Sequence, residues 1–139
     1  MAMETGGAAL AADLAERLER LPALVNGDPW LVERGRFVAL DVLVELGRVP
    51  YYLGIERGRV VALERGPKPL PSWRFALRAG EEAWRRHWEE TPPPHYHDLL
   101  AMAKRGALSI EGDLQPFMAN LFYFKDVIAA PRRSGGVAR

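Results

Sequence analysis

Between Arg36 and Ala79 the apolar side chains fall at every second position, and after Gly80 they fall at every third or fourth. That change of period constrains the fold more than any other feature, because it demands strands in the first half and helices in the second. Arg36 to Leu46 predicts the first strand, with Val38, Leu40, Val42, Val44 and Leu46 on one side. Its other side carries Phe37, Ala39, Asp41, Leu43 and Glu45, only half polar, which predicts partial cover there too. Gly47-Arg48-Val49-Pro50 turns the chain into a second strand, Tyr51 to Glu56. Arg57-Gly58 reads as a hairpin tip, and Arg59 to Glu64 returns. After a stiff proline loop, Gly66 to Pro71, the segment Ser72 to Ala79 predicts a fourth strand. Trp73, Phe75, Leu77 and Ala79 would share one face of it, and Arg74 and Arg78 the other.

The flanking segments read as helices. Met1 to Gly7 is expected to be a disordered lead-in, and the alanine-rich stretch from Ala8 carries the stripe Leu10, Leu14, Leu18 and Leu21. Pro22 should interrupt it before the turn cluster Asn26-Gly27-Asp28-Pro29, with one short helical turn at Trp30 to Val32. Beyond Gly80, acids at Glu81 and Glu82 suit a helix's positive end, and Trp84 and Trp88 fall on one face of it. Thr91-Pro92-Pro93-Pro94 should stop that helix. A short helix over about Asp98 to Arg105 follows, ended by Gly106. A strand, Leu108 to Glu111, then leads through Gly112 and the N-cap Asp113 into a last helix, Leu114 to Ala130, closed by Pro131. This order predicts an α+β fold, with a mainly antiparallel sheet of five strands covered on one face by helices. A single domain is expected over 8–131, with 132–139 a flexible basic tail.

Composition removes whole classes of function. A net charge of +1 with scattered basic residues argues against nucleic acid as a partner. With no cysteine among 139 residues, disulfides, thiol catalysis and zinc–thiolate sites are excluded, and a reducing compartment, the cytoplasm, is expected. No apolar run is long enough for an integral membrane segment. Ser72, Ser109 and Ser134 are not in nucleophile-elbow contexts, and no glycine-rich loop opens a helix after a strand, so neither catalytic residues nor a cofactor are expected. His95-Tyr96-His97 with Asp98 has metal-like spacing but too few ligands, and His97-Asp98 reads better as a helix start. Asp41 is the one acid inside a strand with strongly apolar flanks; pointed into a cavity it would serve as a general base in a small cone-type enzyme.

A surplus of large apolar side chains is left over. In the last helix Leu114, Phe117, Met118, Leu121 and Phe124 or Ile128 form one stripe, with Phe122 and Tyr123 off it. Trp73, Phe75, Trp84, Trp88, Leu99, Met102, Phe117, Met118, Leu121 and Phe122 are the candidate contacts for an apolar ligand. Tyr51, Tyr52 and Asn120 are the polar groups that would orient it. The same residues would also build a filled core, the commoner use of such side chains, with the surplus meeting a partner or a second copy in a homodimer. Composition does not separate the two.

Lys104-Arg105-Gly106-Ala107-Leu108-Ser109-Ile110-Glu111-Gly112-Asp113 followed by Leu114 to Leu121 resembles the end of a sterol carrier protein type 2 domain, in the manner of a stand-alone prokaryotic-type member. Gly58 to Glu64 is similar to that family's glycine-then-strand hairpin, and Ser72-Trp73-Arg74-Phe75 to its next strand. The resemblance spans roughly Leu10 to Ala130, with only the strand–Gly-Asp–helix stretch specific. It implies a five-stranded sheet and helices enclosing an apolar tunnel for sterols, fatty acids or fatty acyl chains, bound without chemistry. The chain departs from the family pattern in three places. Trp84 to Tyr96 adds an aromatic helix and proline spacer, the last helix is more aromatic than usual, and the peroxisomal ending of eukaryotic members is missing.

Overall fold

The structure is a computed structural model that describes residues 2–69 and 72–135, with side chains described for 7–69 and 72–132. Five strands form one sheet: β1 (Ala39–Leu46), β2 (Val49–Glu56), β3 (Arg59–Arg65), β4 (Phe75–Ala79) and β5 (Leu108–Gly112). Their order across the sheet is β3-β2-β1-β4-β5, and every neighbouring pair is antiparallel except β1 and β4. The expected α+β architecture is present. Among the described residues the helices are α1 (Ala2–Asn26), α2 (Pro29–Arg34), α3 (Glu81–His87), α4 (Leu99–Lys104), α5 (Leu114–Ala119) and α6 (Leu121–Ala129), followed by a 3-10 segment, Ala130–Gly135.

The period-2 pattern of β1 reports its faces faithfully. Val42, Val44 and Leu46 lie in the main core with Leu53, Ile55, Phe75 and Leu77, under the helices. On the other face Leu43, Tyr52 and Ala76 make a small second cluster, the partial cover that the half-polar side of β1 predicts. The β2–β3 tip turns at Arg57 and Gly58, both left-handed at φ 52° and 82°, the geometry of a tight hairpin turn. Gly58 has no alternative there: a Cβ would stand 2.4 Å from the Val32 carbonyl oxygen. Gly112, at φ 98°, is likewise required, since a Cβ would come 2.7 Å from the Arg74 carbonyl oxygen where β5 meets β4.

Local expectations fail where burial outweighs propensity. Pro22 does not interrupt α1, which starts at Ala2 and continues to Asn26. An interior proline costs about 3 kcal/mol, but Leu14, Leu18, Leu21 and Val25 are all sealed in the core, and four such side chains contribute more. The end of α1 is put to use: the Asn26 side-chain amide donates to the Val60 carbonyl at 2.9 Å and accepts from the Val60 amide at 2.8 Å, closing the edge strand β3. The expected first strand begins only at Ala39, because Gly35 to Phe37 form a turn. The helix α3 ends at His87, ahead of the proline run. Of the expected tail, 132–135 lie in the 3-10 segment and 136–139 fall outside the described residues, as do Met1, Leu70 and Pro71.

The last helix is two helices. Asn120, at φ −124° and ψ 38°, leaves helical geometry, and its side chain donates to the Pro116 carbonyl at 3.0 Å. The chain starts again from the Asn120 carbonyl, which accepts from the Phe124 amide at 3.0 Å. Asparagine satisfies the broken turn with its own amide, which is why the break falls at this residue.

Candidate functional site

The side chains expected as ligand contacts divide into three groups. Phe75, Trp84, Trp88, Leu99, Met102 and Phe117 are fully buried in the main core. Phe75, Phe117 and Phe124 form a ring triad with centroids 5.0–6.1 Å apart, mostly edge-on, and Tyr123 extends it at 5.2 Å from Phe124. Trp84 and Trp88 stack at 5.2 Å, and each indole N–H is satisfied by a backbone carbonyl, Glu45 for one and Ile128 for the other, both at 2.8 Å. Here the surplus forms a packed layer between the sheet and α3, α4, α5 and α6.

The second group points outward. Met118 is 52% exposed and Phe122 72%, with Leu121 between core and solvent. The break at Asn120 carries the apolar stripe off its straight-helix course: Tyr123, expected off the stripe, is buried, and Leu114 and Met118, expected on it, are not. Trp73 stands alone as the third case. Alternation places it beside Phe75, but β4 begins only at Phe75, so the alternation does not reach it. Trp73 packs instead on the opposite face of the sheet, against the Leu43–Tyr52–Ala76 cluster and 5.8 Å from the Arg78 guanidinium.

Open apolar space lies elsewhere. Between α1 and the ends of β1 and β2 there is a recess of about 240 Å3, lined by Ala11, Ala12, Leu14, Ala15, Leu46, Val49 and Tyr51, with Arg65 and Glu81 also in its wall. Small side chains on α1 hold the helix backbone near the sheet without filling the gap between them. Of the three polar groups suggested to orient a ligand, only Tyr51 reaches this recess. Tyr52 is on the other face with the Lys68 ammonium 5.2 Å from its ring, and Asn120 is spent on the helix break. The recess residues escape the sequence reading, although the alanine run in α1 and the inward position of Leu46 are both visible there.

The other chemical candidates resolve clearly. Asp41 is exposed and lies beside Leu40, Ser72, Trp73 and Arg74 on the outer side, so the apolar surroundings that would make it a base are missing. Asp98 is the N-cap of α4, accepting from the Ala101 amide at 3.1 Å, and it pairs with Lys125 at 2.8 Å. Burial disfavours its charge, but the bonds from Lys125 and Ala101 prevail and hold its carboxyl below the usual range. Among the described residues no three His, Cys, Asp or Glu side chains gather as a metal site would need. One buried polar atom among them lacks a partner, Nε2 of His87, whose Nδ1–H donates to the Tyr96 carbonyl at 2.8 Å.

With this geometry in view, one known structure decides the architecture. A crystal structure of sterol carrier protein 2 superposes with a TM-score of 0.67, covering 84% of this chain and 94% of its own, at 12% identity. The chain has the sterol carrier protein 2 fold. A conserved hypothetical protein from Thermus thermophilus, put forward as a sterol carrier protein, matches at TM-score 0.60 and 12% identity, over 84% of this chain and 86% of its own. A UbiJ-SCP2 ubiquinone synthesis protein matches at 0.55 and 14% identity, over 87% and 92%. No family model matches the sequence, and no curated protein does. At 12–14% identity the likeness to these structures is one of fold.

Proposed function

We propose that this chain binds and carries a hydrophobic small molecule, a sterol, fatty acid or fatty acyl chain, between its sheet and its helices, and performs no chemistry on it. The observation that carries this reading is the apolar recess under α1 in a chain with the sterol carrier protein 2 fold. At about 240 Å3 the recess is smaller than the roughly 300–1,000 Å3 of small-molecule sites, so it serves as the mouth. A ligand advances by parting the layer built from Phe75, Trp84, Trp88, Leu99, Met102 and Phe117, and α5 and α6 swing about Asn120 to admit it. Tyr51 orients the ligand's polar end, with Arg65 and Glu81 beside it. Each 100 Å2 of apolar ligand surface removed from water contributes about 2.5 kcal/mol.

Native mass spectrometry of the purified protein, with extraction and identification of whatever co-purifies, tests the reading. Ala15→Phe fills the recess and should weaken displacement of a fluorescent lipid at least tenfold with no fall in melting temperature. A protein that co-purifies with nothing and ignores fatty acids, acyl-CoAs and sterols alike refutes it. The closed aromatic layer, together with Trp30 and Phe37 at 83% and 87% exposure, favours a second reading, an accessory module that meets a partner or its own copy. A ligand-free dimer in the same native spectrum would select that one.

A further inference from the structure

The His95-Tyr96-His97 segment and the end of α4 meet at the surface, away from the recess under α1. A recess of about 460 Å3 opens there, lined by His95, Ala101, Lys104 and Arg105. Its wall is mostly carbon, and no carboxylate lines it. Asp98 caps α4 and thereby sets its register, which puts Lys104 and Arg105 one turn beyond Ala101 on the exposed side. Neither cation has an ion-pair partner among the described residues, whereas Arg85, Arg86 and Lys125 nearby are all paired with acids.

The segment is also tied to its neighbours. Two guanidinium groups lie against the Tyr96 ring, Arg86 at 5.2 Å and Arg105 at 5.4 Å from its centroid. From beneath, His87 donates to the Tyr96 carbonyl at 2.8 Å and Arg132 to the His97 carbonyl at 3.2 Å. His95, next to these tethered residues, is left-handed at φ 75°, a conformation that costs a residue with a Cβ about 1 kcal/mol or more. Of the two cations, Arg105 is placed by its contact with the Tyr96 ring.

We propose that this recess binds a phosphate monoester or diester, its oxygens held by Arg105, Lys104 and His95 and its carbon skeleton lying on Ala101 and the lysine and arginine stems. A guanidinium fork matches two phosphate oxygens, and the ammonium and imidazole reach the others. The site is separate from the recess under α1 and needs no opening of the core, so the two readings stand or fall independently.

Amide chemical shifts followed by NMR during titration test it, with inorganic phosphate in one arm and short-chain dihexanoyl phosphatidic acid in another. Sodium chloride at matched ionic strength is the control. Saturable shifts centred on His95, Ala101, Lys104 and Arg105 are expected, and the Lys104→Gln/Arg105→Gln double variant should bind at least tenfold more weakly, with its spectrum unchanged outside residues 95–106. Saturation by inorganic phosphate identifies the phosphate group itself as the ligand. Saturation by phosphatidic acid alone identifies the phosphate of an amphiphile. Shifts that merely follow ionic strength, or that survive in the double variant, overturn the proposal.

Discussion

His87 ties acid stability to one side chain. It is 1% exposed, and its Nε2 has no partner, so protonation would place an unsolvated cation in the interior. Burial is the main cause that brings its pKa down from 6.5 to about 4, opposed by the Tyr96 carbonyl and reinforced by the neighbouring Arg132 guanidinium. The unfolded chain therefore binds the proton more readily than the folded one across that window. Stability is fully present above about pH 6.5 and falls as the pH drops towards 4, by about 3 kcal/mol in all and at most about 1.4 kcal/mol per pH unit. Carboxylates held low by their partners, Asp98 and Glu82, lose their contributions further down, Glu82 progressively from 4.5 towards about 2. The span from 6.5 to 4.5 is thus dominated by His87. Urea unfolding of the protein and of His87→Asn at half-unit pH steps is the assay; the asparagine amide can still donate to the Tyr96 carbonyl but does not titrate. The variant should be less stable than the parent at pH 7.5, with a visibly shallower decline to pH 4.5. Parallel declines would refute the argument, because the lost stability would then belong to other groups.

Two substitutions probe the layer that would have to open around a ligand, and a third probes its exposed surroundings. Tyr123→Phe removes the buried hydroxyl that donates to the Gly58 carbonyl at 2.7 Å, and it should cost about 1–2 kcal/mol in urea unfolding, since that carbonyl loses its bond across the hairpin tip. Met102→Ala empties part of the sealed core and should cost about 2–5 kcal/mol by the same measurement. Met118→Trp, on a half-exposed position, should change stability by no more than about 0.5 kcal/mol; a loss as large as that of Met102→Ala would place Met118 in the core after all.

Much of the fold is legible in the sequence because the deciding signals are local. Alternation assigns Val42, Val44 and Leu46 to the core side, Arg57-Gly58 marks the hairpin, and Asp98 and Asp113 cap the helices they precede. What stays hidden depends on distant partners. No residue pattern announces that β1 lies parallel to β4, a pairing made across the whole β2–β3 hairpin. Pro22 reads as a break because propensity is local, whereas the burial that overrules it is supplied by the sheet and the other helices. Trp73 falls on the other face because it lies two residues before the strand that enforces alternation.

The candidate site is legible only in part, for a physical reason. Large apolar side chains read as the mark of a ligand cavity, yet large side chains are what fill space. Phe75, Phe117 and Phe124 close on one another, and Trp84 and Trp88 stack with both N–H groups satisfied. Volume is left where side chains are small next to a framework that cannot collapse. Ala11, Ala12 and Ala15 provide that on α1, while Leu14 and Leu18 keep the same helix anchored in the core. On the proposed carrier reading, such a chain keeps a closed, stable interior when empty and offers a ligand only an entrance. The free energy of opening the aromatic layer is then part of every binding constant, so substitutions that loosen the layer, such as Met102→Ala, should tighten lipid binding even as they lower stability. If Met102→Ala weakens both together, the layer is plain core and the ligand goes no deeper than the recess.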